Sequence, residues 1–227
     1  MILLALDTAT PDTVAAVLAG GDVFEARDEP EPGSRPQHAA RLLSLAEEAL
    51  AQAQVSWAQL DRIAVGVGPG GFTGLRIGVA TGRALAQGHS LPVVAVSSLR
   101  ALADAATDAA GGAPVLAAID ARRGEVFAAV WGPTGVLELA PAAYAPETLS
   151  AALGELSQPP LAVGDGAIRF AAELSAADAV VPPADSELHR IGGVALCELG
   201  RLGDPVPREL LLPDYRREPD AKPPRLP

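Results

Sequence analysis

Residues 66–82 read GVGPGGFTGLRIGVATG. The apolar run before them predicts a strand over 62–67. Gly68-Pro69-Gly70-Gly71 predicts a tight turn, and the residues beyond it predict a helix. Along that helix Gly74, Gly78, Gly82 and Ala86 recur at every fourth position. Positions four apart share one helical face, so this helix carries a strip almost free of side chains. Each interior glycine costs about 1 kcal/mol relative to alanine. Three of them on one face imply that something approaches the helix backbone closely. What docks on that strip is expected to be the key to function.

A second constraint is internal repetition. Residues 2–18 read ILLALDTATPDTVAAVL, and residues 115–131 read VLAAIDARRGEVFAAVW. Each is an apolar run, an aspartate (Asp7, Asp120), a short polar turn and a return rich in alanine and valine. Both predict a strand–turn–strand hairpin with an aspartate at the turn. Further strands are expected at 22–27, 92–96 and 161–163. Helices are expected at 37–54, 97–110, 146–156, 167–176 and 186–203. The expected fold is α/β with two lobes, residues 1–103 and a smaller 104–227, built from one duplicated unit. This resembles the actin/hexokinase/Hsp70 (ASKHA) architecture. There, both hairpin turns face a nucleotide between the lobes.

Composition narrows the function. The net charge is −11, and tight nucleic-acid binding needs clustered Lys and Arg. Any RNA-linked role would need another subunit to supply positive surface. The basic stretch Arg216, Arg217, Lys222 and Arg225 is diluted by Glu218 and Asp220 and reads as a solvated Pro-rich tail ahead of the alternative, an RNA contact. Cys197 is the only cysteine, so an internal disulfide is excluded. The apolar start lacks the basic flank of a signal peptide. No stretch reaches the roughly 18 apolar residues of a membrane span. A cytoplasmic protein is expected.

Gly66-Val67-Gly68-Pro69-Gly70-Gly71 formally fits GxGxxG. Its strand does not open a βαβ unit, and no acidic residue ends the next strand, which argues against a dinucleotide site. His38, His89 and His189 lack the spacing of metal ligands, and no cofactor is expected. Asp7, Thr8 and Asp120 could line a nucleotide cleft of vestigial kind, with the aspartates serving Mg-nucleotide chemistry. Alternatively, each aspartate only closes its own turn by accepting from an amide two residues on.

LALDTAT, GVGPGGFTGLRIGVATGRALA and AAIDARRGEVFAA closely resemble the TsaB family, as do His38 with Arg41-Leu42-Leu43 and Pro213-Asp214-Tyr215-Arg216-Arg217. Arg216 departs from the leucine usual in that family. The resemblance implies a non-catalytic subunit of the bacterial machinery that makes threonylcarbamoyladenosine in tRNA. It would bind and activate the catalytic paralogue TsaD, together with the ATPase TsaE, and meet tRNA only through the complex. TsaD carries two metal-binding histidines after the strand that follows the glycine helix; here that place reads Val96-Ser97-Ser98-Leu99-Arg100-Ala101. The resemblance also implies pairing through the first two long helices, so Gly74, Gly78, Gly82, Leu75, Leu42, Leu45 and His38 are the expected partner-binding residues. The same surface would form a homodimer when TsaD is missing. The alternatives are a stand-alone ASKHA-type ATPase or phosphotransferase using Asp7 and Asp120, and a metallopeptidase, against which the missing histidines argue.

Overall fold

The structure is a computed structural model and describes residues 1–31 and 33–217. Lys222, Arg225, Glu218 and Asp220 lie outside the described residues.

The chain starts with strands β1 (Leu3–Asp7), β2 (Thr13–Ala19) and β3 (Asp22–Asp28), paired antiparallel in sequence. Gly20 and Gly21 join β2 to β3 with φ of +64° and +101°, the left-handed pair that a two-residue hairpin turn requires. Helix α1 (His38–Gln52) then leads to β4 (Arg62–Gly68), helix α2 (Phe72–His89) to β5 (Val93–Ser97), and both strands run parallel to β1. The sheet order is β3-β2-β1-β4-β5.

Helix α3 (Ser98–Ala106) passes the chain to a second copy of this unit. Strands β6 (Val115–Arg122), β7 (Glu125–Trp131) and β8 (Leu137–Tyr144) form a meander, followed by helix α4 (Pro146–Leu153) and strand β9 (Leu161–Val163). β9 joins β6 in parallel, as β4 joins β1, giving the order β8-β7-β6-β9. The second sheet stops one strand short of the first. Helices α5 (Asp165–Arg169), α6 (Ala171–Ala176) and α7 (Gly193–Leu202) complete the described fold.

The layers follow from which side chains each strand turns outward. Successive residues of a strand face opposite sides. Leu4 and Leu6 of β1 meet Leu42, Leu45, Ala46, Ala49 and Leu50 of α1. Ile63 and Val65 of β4 meet Val79 and Ala86 of α2. On the other face, Leu3 and Ala5 meet Leu99 and Leu102 of α3 and Leu196 and Cys197 of α7. Helix α3 also covers Ala117, Ile119 and Ala129 of the second sheet. The outer face of the second sheet packs Leu116, Ala128 and Val130 on Leu149, Leu153 and Leu174. The result is α1/α2, sheet, α3/α7, sheet, α4–α6.

The two-lobed α/β architecture and the duplicated hairpin are as expected. Four details differ. The proposed division at 103/104 falls inside α3. Residues 193–202, expected to form one helix with 186–192 in the second lobe, lie against β1, β2 and β4 of the first sheet. The expected helix over 167–176 is broken at Phe170 into α5 and α6. Strand β8 was not anticipated. It is mostly half-exposed, at the sheet edge, and contains Pro141, a residue that blurs a strand pattern and is tolerated chiefly at edges.

Candidate functional site

The glycine strip of α2 faces the chain's own sheet. A Cβ at Gly74 would strike the carbonyl oxygen of Thr8, one at Gly78 the Thr8 hydroxyl, and one at Gly82 the Val65 side chain. Thr8 Oγ1 donates to the Gly74 carbonyl at 2.8 Å. The strip exists because the β1–β2 turn and β4 press onto the helix. It packs α2 on the sheet at Gly78 and Gly82, and at Gly74 also against His38 of α1. Leu42, Leu45 and Leu75 are each about 1% exposed, so they too belong to the core and not to a surface. His38 is buried, with its Nδ1 2.8 Å from Thr13 Oγ1, and burial pushes its pKa down, toward the neutral ring.

The two aspartates close their turns in the same way. Asp7 Oδ1 accepts from the amide of Ala9 at 2.7 Å, and Asp120 Oδ1 accepts from the amide of Arg122 at 2.8 Å. Their other oxygens differ. Asp7 Oδ2 accepts from Ser98 Oγ at 2.6 Å, and Ser98 Oγ accepts from the amide of Gly68 at 3.2 Å. Asp7 is 1% exposed, and burial raises its pKa despite the hydrogen bonds of Ser98 and Ala9. Gly66 makes this burial sterically feasible, since any Cβ there would strike the Asp7 carboxylate. Thr8 is fully buried. Asp120 Oδ2 instead pairs with Arg169 at 2.8 Å and Arg122 at 3.1 Å. Its own amide donates to Asp165 Oδ1 at 3.0 Å, and burial raises the pKa of Asp165.

A cleft of about 680 Å³ lies between the lobes, lined among others by Arg35, His38, Phe72, Asp120, Arg122 and Asp165. Asp120 therefore reaches the cleft, whereas Asp7 and Thr8 lie behind its wall. The structure does not bring Asp7 and Asp120 together as a carboxylate pair. Among the described residues no group of three or more His, Cys, Asp and Glu could hold a metal ion. Nor is any helix among them long and apolar enough to cross a membrane.

What α1 and α2 leave in solvent is their outer side. Ala40 and Leu43 of α1 are exposed, as are Phe72, Thr73, Ala80 and Ala84 of α2. Leu43 and Phe72 are 49% and 56% exposed. Sequence reasoning missed both. The available signal was Leu43 itself, an apolar residue out of step with Leu42, Leu45, Ala46 and Ala49. Ser98 was also missed, because its partner, Asp7, is distant in sequence.

Two duplicated lobes, hairpin turns flanking a cleft and helices sandwiched between the sheets define a protein of ASKHA-like architecture. Residues 29–144 match the family described as TsaD: tRNA N6-adenosine threonylcarbamoyltransferase. The chain is similar to tRNA threonylcarbamoyladenosine biosynthesis protein TsaB of Haemophilus influenzae, 39% identical over 56% of this chain and 52% of that protein. For the protein of the same description in Escherichia coli, the identity is 40% over 56% of this chain and 53% of that protein. The chain thus spans about half the length of these curated relatives. Solved structures extend the likeness: YeaZ from Pseudomonas aeruginosa has TM-score 0.75 and 30% identity, covering 94% of this chain and 99% of that one. A second Pseudomonas aeruginosa structure, described as similar to peptidase YEAZ, has TM-score 0.78 and 32% identity, covering 95% and 99%. The chain belongs to the TsaB family.

Proposed function

We propose that this chain is a non-catalytic subunit of the tRNA threonylcarbamoyladenosine-forming machinery in the cytoplasm. It docks the catalytic paralogue TsaD through the outer face of α1 and α2 and acts with the ATPase TsaE. tRNA is engaged by the assembly, not by this acidic chain. The observation that carries the reading is the treatment of Asp7: a carboxylate turned inward, held by Ser98 and pushed toward its protonated form, cannot present a metal in the cleft. The exposed apolar residues Leu43 and Phe72, with small Ala40, Ala80 and Ala84 around them, supply a face onto which helices pack closely. Two such helices could contribute much of the about 1,600 Å² that a stable interface buries in total. In the absence of TsaD, the same face pairs two copies of this chain.

Reconstitution tests the reading. TsaD and TsaE should modify tRNA only when this chain is added. Full activity without it would overturn the proposal, and so would threonylcarbamoyl transfer by this chain alone. Robust Mg-ATP turnover by the isolated chain would instead favour an ASKHA-type ATPase or phosphotransferase, in which Asp120 at the cleft would be the first residue to replace.

A further inference from the structure

Residues 211–217 run from one lobe to the other. Leu211 is fully buried with Ile63, Val65, Val79 and Val93 of the first lobe. The amide of Asp214 donates to the carbonyl of Val67, at the end of β4, at 2.8 Å. Tyr215 lies against the first turns of α2. Its hydroxyl accepts from Arg76 Nε at 2.9 Å, its ring centroid is 5.5 Å from that of Phe72, and the Arg76 guanidinium sits 3.8 Å over the Phe72 ring.

The next two residues hold the other lobe. Arg216 Nη1 donates to the carbonyl of Pro141 in β8 at 3.2 Å, while its Nε donates to Asp214 at 2.7 Å. Arg217 Nη1 donates to the carbonyl of Ala121 in the β6–β7 hairpin at 3.3 Å. Arg217 Nη2 lies 3.2 Å from Glu125 Oε2, an oxygen screened from solvent that makes no hydrogen bond. A screened carboxylate oxygen is costly without a facing cation, and Arg217 supplies the cation. The anchors sit on both walls of the cleft: Phe72 lines one side, and Asp120 and Arg122, flanking Ala121, line the other. Behind the cleft the lobes are joined by α3, which packs on both sheets, and by Arg190, which pairs with Asp12 at 3.4 Å.

We infer that residues 211–217 are a latch. Closed, it pins the hairpin of the second lobe to the start of α2 and fixes the width of the cleft. Released at Arg216 and Arg217, it lets the lobes swing about the α3 joint in a hinge motion of one lobe against the other. The side chains of Arg216 and Arg217 are 40% and 29% exposed, so their contacts can be broken without disturbing a core. The inference stands on these contacts alone and does not depend on the partner proposed above.

The test measures the distance between spin labels on the two sides of the cleft. Labels are placed at Ala39→Cys and Ile168→Cys in full-length Cys197→Ala protein, diluted with unlabelled chain. The parent should give one narrow distribution. Arg216→Ala/Arg217→Ala should shift it to longer distances and broaden it, and Tyr215→Ala should do the same from the other anchor. Circular dichroism establishes that each variant is folded. Should Tyr215→Ala unfold, the double arginine variant still decides. An unchanged distribution in folded Arg216→Ala/Arg217→Ala protein would overturn the latch.

Discussion

Asp7 is a carboxylate that the chain has taken out of water. Its pKa is raised from 3.8, chiefly by burial, so the folded chain holds that proton more tightly than the unfolded chain does. The associated stability is complete below pH 3.8 and is lost as pH rises through the folded value. Asp7→Asn removes this dependence while keeping an oxygen for the Ala9 amide. The stability gap between parent and variant, followed by urea unfolding from acid to neutral pH, should therefore shift in favour of the variant as pH climbs. A gap that stays constant with pH would contradict the assignment. The neighbouring glycines make a companion prediction. Gly78→Ala should destabilise by about 1–3 kcal/mol, because the new methyl meets Thr8 in a filled space. Gly88→Ala, with nothing within 4 Å, should stabilise by about 0.4–1 kcal/mol. Denaturant midpoints of the two variants should move in opposite directions.

At the scale of the element, α1 separates stability from docking along one helix. Leu45 is 1% exposed and Leu43 is 49% exposed. Leu45→Ala should cost about 2–5 kcal/mol by leaving a cavity against β1. Leu43→Asp should change stability by no more than about 0.5 kcal/mol and yet weaken capture of TsaD. Melting curves and pull-down on the same preparations check both. The helix itself was legible: Leu42, Leu45, Ala46, Ala49 and Leu50 keep helical spacing, and they are the residues that meet the sheet. What covers such a stripe was not legible, because spacing tells which residues share a face but not what packs against it. That is why Gly74, Gly78 and Gly82 read as a docking strip when they accommodate Thr8 and Val65. The same limit hid the position of α7, an apolar helix late in the chain whose burial against β1 and β4 depends on contacts far off in sequence. The turn role of Asp7 and Asp120 was local and could be read. The inward bond from Asp7 to Ser98 spans the first lobe and could not.

At the scale of the molecule, the duplicated lobes share one core. Side chains of both sheets pack around α3 in a single cluster that includes Leu3, Ala64, Leu102, Ala117, Trp131 and, from α7 on the first sheet, Cys197. Neither sheet can lose its cover from α3 without exposing the other, so the lobes should unfold together. The chain carries its own probes. Trp57 packs in the first lobe, stacked 5.4 Å from His89, and Trp131 is buried in the second sheet. Cys197 lies in α7 against the first sheet, fully buried, its thiol pKa pushed up to about 12 by burial. That thiol is inert toward thiolate-selective reagents while the core is closed. Trp57→Phe and Trp131→Phe each leave one tryptophan reporting on one lobe. Their fluorescence midpoints in urea, each referred to the stability of its own variant, should coincide with the onset of Cys197 labelling. Labelling that begins before either tryptophan responds would mean that α7 leaves the first sheet on its own. Two separated fluorescence midpoints would mean that the repeated units are independent domains, and the shared core would not be what holds the cleft in register.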